Sequence, residues 1–130
     1  RGHDRAMIQN LIHVALGGAL GASGRYLVGV AGLRFFGPGF PWATLVVNIL
    51  GSFIMGVLVV VLAHLSATRL APLLLTGVLG GFTTFSAFSL DAVTLWERGA
   101  AGQALGYVAA SVLLSLAALV AGLWLARALT

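Results

Sequence analysis

Four long stretches almost free of charge constrain this chain more than any other feature of its sequence. Ile8 to Leu33 is interrupted only by His13 and Arg25, and no formal charge stands between Phe35 and Ala63. A third stretch opens near Leu70 and closes at Glu97-Arg98-Gly99, and Ala100 to Leu125 is again uncharged. A helix needs about 20 apolar residues to cross the hydrocarbon of a bilayer. The 130 residues therefore hold four crossings and leave almost nothing for a domain outside the membrane. Composition agrees, with 60% hydrophobic and 8% charged residues where a soluble domain carries roughly 25% charged. An all-α membrane protein is expected, with its function inside the bilayer.

The first stretch is too long and too rich in glycine for a cleavable signal peptide, so it is read as span one. Arg34-Phe-Phe-Gly-Pro-Gly-Phe-Pro41 is a turn made of helix breakers, and span two follows from about Pro41 to His64. Ser66-Ala-Thr-Arg69 offers N-cap residues ahead of Pro72, whose missing N–H suits a first helical turn. Span three starts at about Leu70, and span four runs from about Ala100 to Leu125 before Arg127. Met7 is a plausible natural start, so residues 1–6 are read as an appended remnant or leader and 7–130 as one four-helix transmembrane domain.

The net charge of +4 comes from seven arginines scattered singly between apolar stretches, a pattern of membrane topology and not of a nucleic-acid surface. Without Arg1 and Arg5, Arg69 and Arg127 on one side face Arg34 and Arg98 on the other, and embedded Arg25 makes the count two against three. The positive-inside rule then gives no direction. A chain without orientation bias inserts both ways, and four helices leave little room for a pore, so an antiparallel, dual-topology homodimer is predicted. The absence of cysteine removes disulfides, thiolate chemistry and Cys-based metal sites. His3, His13 and His64 have no second ligand at metal spacing, and no phosphate loop, catalytic triad or carboxylate pair marks an enzyme.

Polar side chains in hydrocarbon need a partner or a cavity. Thr44, Asn48 and Ser52 recur every four residues on span two, and Tyr107, Ser111 and Ser115 do so on span four, which places each set on one helical face. Such stripes either line a narrow wet pathway or bond helices together. Asn48 weighs toward function, because a buried amide has two donors and an acceptor to satisfy. All these groups donate while neutral, which favours anions or small neutral solutes over a proton-coupled carrier, for which Asp91 and Glu97 are the only candidate carboxylates. Arg25 either draws anions into a vestibule or ties a helix end to a carbonyl or carboxylate.

Gly80-Gly-Phe-Thr-Thr-Phe-Ser-Ala-Phe-Ser89 is a poor helix interior, and a break in span three is expected. Irregular backbone at membrane depth survives only where protein or a wet cavity satisfies it. Freed carbonyls and threonine hydroxyls are hard ligands suited to Na⁺, and a break on a dimer axis would enclose one ion between two copies. Phe85 and Phe88 share a helical face, where their electropositive ring edges either stabilise a small anion or simply pack. Gly17, Gly21, Gly77, Gly80, Gly102 and Gly106 have the spacing of close helix contacts.

Gly17-Gly-Ala-Leu-Gly-Ala-Ser-Gly-Arg-Tyr26, Pro41-Trp-Ala-Thr-Leu-Val-Val-Asn-Ile-Leu-Gly51, the segment Gly77 to Ser89 and Glu97-Arg-Gly99 closely resemble the Fluc/CrcB fluoride channels. The likeness spans essentially everything after Met7. It implies a passive, fluoride-selective channel of the bacterial inner membrane that exports cytoplasmic fluoride. It also implies an antiparallel homodimer with two pores, and one structural Na⁺ held on the two-fold axis by the Gly80 and Thr83 carbonyls of both subunits. The implied pore residues are Asn48, Phe85, Phe88, Tyr107, Ser111 and Ser115, with Arg25 at the vestibule; helical spacing adds Thr44 and Ser52. Ala87 stands where the family commonly has a hydroxyl residue, and Asp91 where glutamate is usual. The alternative is a small multidrug exporter, also a four-span antiparallel dimer. Its proton exchange needs a carboxylate in span one, where this chain has Arg25.

Overall fold

A computed structural model describes residues 1–130, and all regular structure in it is helical. Helix α1 spans Gly2–Phe36 and α2 spans Trp42–His64. After a 3₁₀ turn at Thr68–Leu70, a π-helical segment runs over Pro72–Leu79 and passes into one α-helical turn, α3, at Gly80–Phe82. The chain breaks at Thr83–Phe85 and restarts as α4, Ser86–Glu97, followed by α5, Ala101–Leu129. Four stretches, Gly2–Phe36, Trp42–His64, Thr68–Glu97 and Ala101–Leu129, are long and apolar enough to cross a membrane. Helix α1 starts well before the apolar stretch that predicts it, with Asp4 in a first turn where negative charge is favourable. Pro72 takes the expected first-turn position, but the wider π register that follows it has no warning in the sequence.

Two glycine seams hold the helices together. In the first, α1 lies on the π-helical segment and α3. Gly17 and Gly77 face each other so closely that a Cβ on either would stand 2.9 Å from the other's Cα. One turn on, a Cβ at Gly21 would run into the Val78 carbonyl, and one at Gly81 would come within 2.6 Å of the Gly18 carbonyl. The second seam joins α2 to α5. A Cβ at Gly56 would overlap the Leu119 carbonyl, and one at Gly122 would overlap the Phe53 carbonyl and stand 3.1 Å from the Val57 nitrogen. The predicted packing glycines Gly17, Gly21 and Gly77 lie in these seams. Gly102 and Gly106 do not: nothing approaches within 4 Å, because α5 meets α2 through Gly122 instead. Gly80 is met only by the Leu75 carbonyl, at 3.6 Å, and is otherwise exposed on the chain's surface.

Leu45, Phe88, Leu95, Ala104 and Tyr107 form a buried cluster where α2, α4 and α5 converge. At the same end, Arg98 donates to the Gly39 carbonyl at 2.8 Å, so the two loops expected on one side of the membrane are tied together. Gly99, at φ 84°, makes the left-handed turn between α4 and α5 that a side chain would strain. Only 17 of 130 residues are buried, and leucines and valines of all the long helices face outward. A soluble protein could not bear that surface; lipid and protein partners can. Replacing Gly122 with valine is expected to pry α2 from α5 at a cost of about 1–3 kcal/mol or more, read as a lower unfolding temperature in detergent. Gly2→Ala, at a position with open space around it, is expected to leave that temperature unchanged.

Candidate functional site

The break in the third span is built by one side chain. In an unbroken helix the Thr84 N–H would bond to the Gly80 carbonyl. Here it donates to Asn48 Oδ1 at 2.8 Å, while Asn48 Nδ2 donates to the Thr84 carbonyl at 2.9 Å. This reciprocal pair fixes which way the amide points and replaces two backbone partners at once. One Nδ2 hydrogen remains. Thr83 is extended, at φ −86° and ψ 161°, so its carbonyl turns away from the helix axis. Its hydroxyl and N–H both bond to the Leu79 carbonyl, at 2.9 and 3.0 Å. Thr84 Oγ1 then accepts from the Ala87 N–H at 3.1 Å, a capping contact that restarts the helix as α4.

Three further carbonyls at the break have distinct fates. That of Gly81 accepts from Arg25 Nε at 3.1 Å, so the one deep cation ties α1 to the break, the second of the two roles open to it. That of Gly80 has lost its helical partner to Asn48, at an exposed position where a second chain can reach it. The Thr83 carbonyl is the oxygen its residue has to offer, since the hydroxyl is engaged. No group of three or more His, Cys, Asp or Glu side chains is placed to hold a metal. These backbone oxygens are the hard donors present, and they fit a small monovalent cation.

A crevice of about 390 Å³ runs beside the break, and Asn48, Ser52, Thr83, Phe85, Phe88, Ser111 and Ser115 all line it. Ser111 Oγ and Ser115 Oγ are buried without any hydrogen-bond partner. Such groups are costly unless something else satisfies them. Phe85 is 78% exposed and Phe88 9%, with ring centroids 5.5 Å apart and planes tilted by 52°. The crevice therefore brings together neutral donors and aromatic rings, with no ionisable side chain in its lining.

A second cavity of about 590 Å³ opens on the other side of Thr84, lined among others by Arg25, Thr44, Ala87, Asp91 and Arg98. Thr44 and Ser52, predicted on one stripe, thus lie on opposite sides of the Asn48–Thr84 bridge, which separates a charged vestibule from a neutral crevice. Tyr107, expected to line the path with the serines, lines neither cavity. It is fully buried, edge-on to Phe40 at 5.5 Å and beside Phe88 at 5.4 Å, and its hydroxyl donates to Asp91 Oδ2 at 3.1 Å. Sequence reasoning did not single out Thr84, which lines both cavities; its hydroxyl three residues ahead of Ala87 was the available capping signature. Gly51 was missed as well: a Cβ there would collide with the Thr83 methyl, so the glycine lets the break sit against α2.

The family model described as CrcB-like protein, Camphor Resistance (CrcB), matches residues 12–123. A protein of Cereibacter sphaeroides (strain ATCC 17029 / ATH 2.4.9) named fluoride-specific ion channel FluC is 68% identical over 117 residues, covering 90% of this chain and 94% of its own length. Proteins of the same name from Ruegeria sp. (strain TM1040) and Paracoccus denitrificans are 61% and 58% identical, over 93% and 95% of this chain and 97% and 98% of theirs. With the family model and full-length relatives both matching across nearly the whole chain, it belongs to the CrcB family.

Proposed function

We propose that this chain is a passive, fluoride-selective anion channel of the bacterial inner membrane, working as an antiparallel homodimer with two pores. The observation that carries this reading is the pair of buried, unpartnered hydroxyls of Ser111 and Ser115 in a crevice that also holds Asn48 and two phenyl rings. The relatives' name, fluoride-specific ion channel, supports the choice of ion.

Fluoride binds water strongly, so a pore must replace that shell yet hold the ion weakly enough to release it. Hydroxyl and amide donors meet the first demand, and the absence of formal charge from the crevice lining meets the second. In the vestibule Arg25, which keeps its charge while its Nε ties down Gly81, and Arg98 outnumber Asp91, and the net positive charge raises the local anion concentration. The remaining Nδ2 hydrogen of Asn48 and the electropositive ring edges of Phe85 and Phe88 then receive the ion at the bridge, and Ser111 and Ser115 pass it along the crevice. Neutral HF crosses bilayers and ionises in a less acidic cytoplasm, so a passive pore suffices for export. A potential negative inside favours each departing anion by about 2.3 kcal/mol per 100 mV. Proton-coupled drug export would need a carboxylate in the crevice, whose lining has none.

The outward apolar surface, the balanced arginines and the exposed Gly80 support the dimer. The Gly80 and Thr83 carbonyls of both subunits are the donors for a structural Na⁺ on its axis. An ion held by these carbonyls would supply positive charge between the two breaks.

Efflux from liposomes followed with a fluoride electrode, with chloride as the control, tests the channel; comparable chloride flux, or flux of neither ion, overturns it. Phe85→Ile is expected to cut fluoride flux by about tenfold or more while a dimer still elutes on gel filtration. Ser111→Ala has a two-part signature. Removing a buried hydroxyl without a protein partner should slow flux and leave thermal stability equal or higher, whereas a hydroxyl that glues helices would lower stability on removal. Thr83→Val keeps the proposed carbonyl ligand and loses only the bond to Leu79, so Na⁺-dependent stabilisation should persist.

A further inference from the structure

Asn48 touches both halves of the proposed machinery. Its amide lines the crevice, and its Oδ1 takes the Thr84 N–H that would otherwise close the helix on the Gly80 carbonyl. A carbonyl oxygen that already accepts a short, well-aligned N–H bond is a poorer ligand for a bare cation. The donor's partial positive charge faces the ion, and the oxygen is turned along the helix axis. We propose that Asn48, beyond its place beside the anion, is the positioning residue of the cation site: by capturing the Thr84 N–H it keeps the Gly80 carbonyl open for Na⁺. This rests on the reading of Gly80 and Thr83 as Na⁺ ligands given above.

Three features of the chain make the capture specific. Thr83 is already extended, so the backbone has left the helical path before Thr84 and the N–H is presented to α2 and not to Gly80. Gly51, one helical turn after Asn48, has no Cβ to push the Thr83 methyl away, so α2 comes close enough for the short contact. Arg25 Nε occupies the Gly81 carbonyl, the neighbouring oxygen that an unbonded Thr84 N–H could otherwise take in a tighter turn. The oxygen left open is then that of Gly80, at the chain's exposed surface. Because one amide serves both sites, a change there reaches the cation as well as the anion.

The test uses the full chain purified in detergent without fluoride. Thermal unfolding is followed by tryptophan fluorescence while NaCl replaces N-methylglucamine chloride at constant ionic strength. Wild type should be stabilised by Na⁺; if it is not, the cation reading fails and this inference with it. Asn48→Leu frees the Thr84 N–H to close on Gly80 and should raise the Na⁺ concentration for half-maximal stabilisation by about tenfold or more. Asn48→Asp, as the protonated carboxyl, offers both an acceptor for that N–H and an O–H donor for the Thr84 carbonyl, so it should bind Na⁺ about as tightly as wild type. Adding Thr84→Pro to Asn48→Leu removes the N–H altogether, and proline suits a position that follows an extended residue, so Na⁺ binding should return. Wild-type Na⁺ affinity in Asn48→Leu, or a loss in Asn48→Asp as large as in Asn48→Leu, overturns the assignment while leaving the cation site itself standing. If Asn48→Leu yields no folded dimer, Asn48→Asp decides alone: retained affinity supports the role, and a tenfold loss refutes it.

Discussion

A broken helix inside hydrocarbon has to satisfy every backbone group it releases, and in this chain that requirement organises the site. An unpaired peptide group at membrane depth costs several kcal/mol, and the amide of Asn48 meets two of them at once by pairing with both the N–H and the carbonyl of Thr84. Arg25 meets a third at Gly81, and Thr83 folds its own hydroxyl onto Leu79. The Gly80 and Thr83 carbonyls on one side and one amide hydrogen of Asn48 on the other are left without partners within the chain.

The glycine seams serve this arrangement from outside. Helix packing in a bilayer gains nothing from excluding water, since lipid is as apolar as leucine, and rests on close van der Waals approach. Gly17 and Gly77 bring α1 against the π-helical segment, which places Arg25 within reach of Gly81; Gly56 and Gly122 bring α5 against α2, which sets Ser111 and Ser115 across from Asn48 and Ser52. Backbone contact thus sets the width of a crevice whose walls are side chains. Around it, most of the molecule's apolar surface remains outside, as suits a chain with four helices long and apolar enough to cross a membrane.

Separation of charge from the crevice follows from the same bridge. The ionisable groups Arg25, Asp91 and Arg98 line the vestibule, and none lines the crevice beyond Thr84. A charged vestibule concentrates anions, whereas a fixed cation deeper in would trap them. Burial of Tyr107 against Phe40 and Phe88, with its hydroxyl spent on Asp91, keeps the aromatic end of α5 out of either cavity and braces the ring of Phe88 in place.

By itself the sequence determined the four crossings, the break in the third, the stripes on spans two and four and the family resemblance. These depend on local hydropathy, helical period and glycine placement, which one strand of text carries. Tertiary structure alone decided that Asn48 reads the backbone of Thr84, that Thr44 and Ser52 fall on opposite sides of that bridge, that Tyr107 is core, and that Gly122 rather than Gly102 or Gly106 forms the seam on α5. A helical period places residues on a face but says nothing of what stands opposite. That is fixed by how closely two backbones approach and by which released peptide groups must find a partner there.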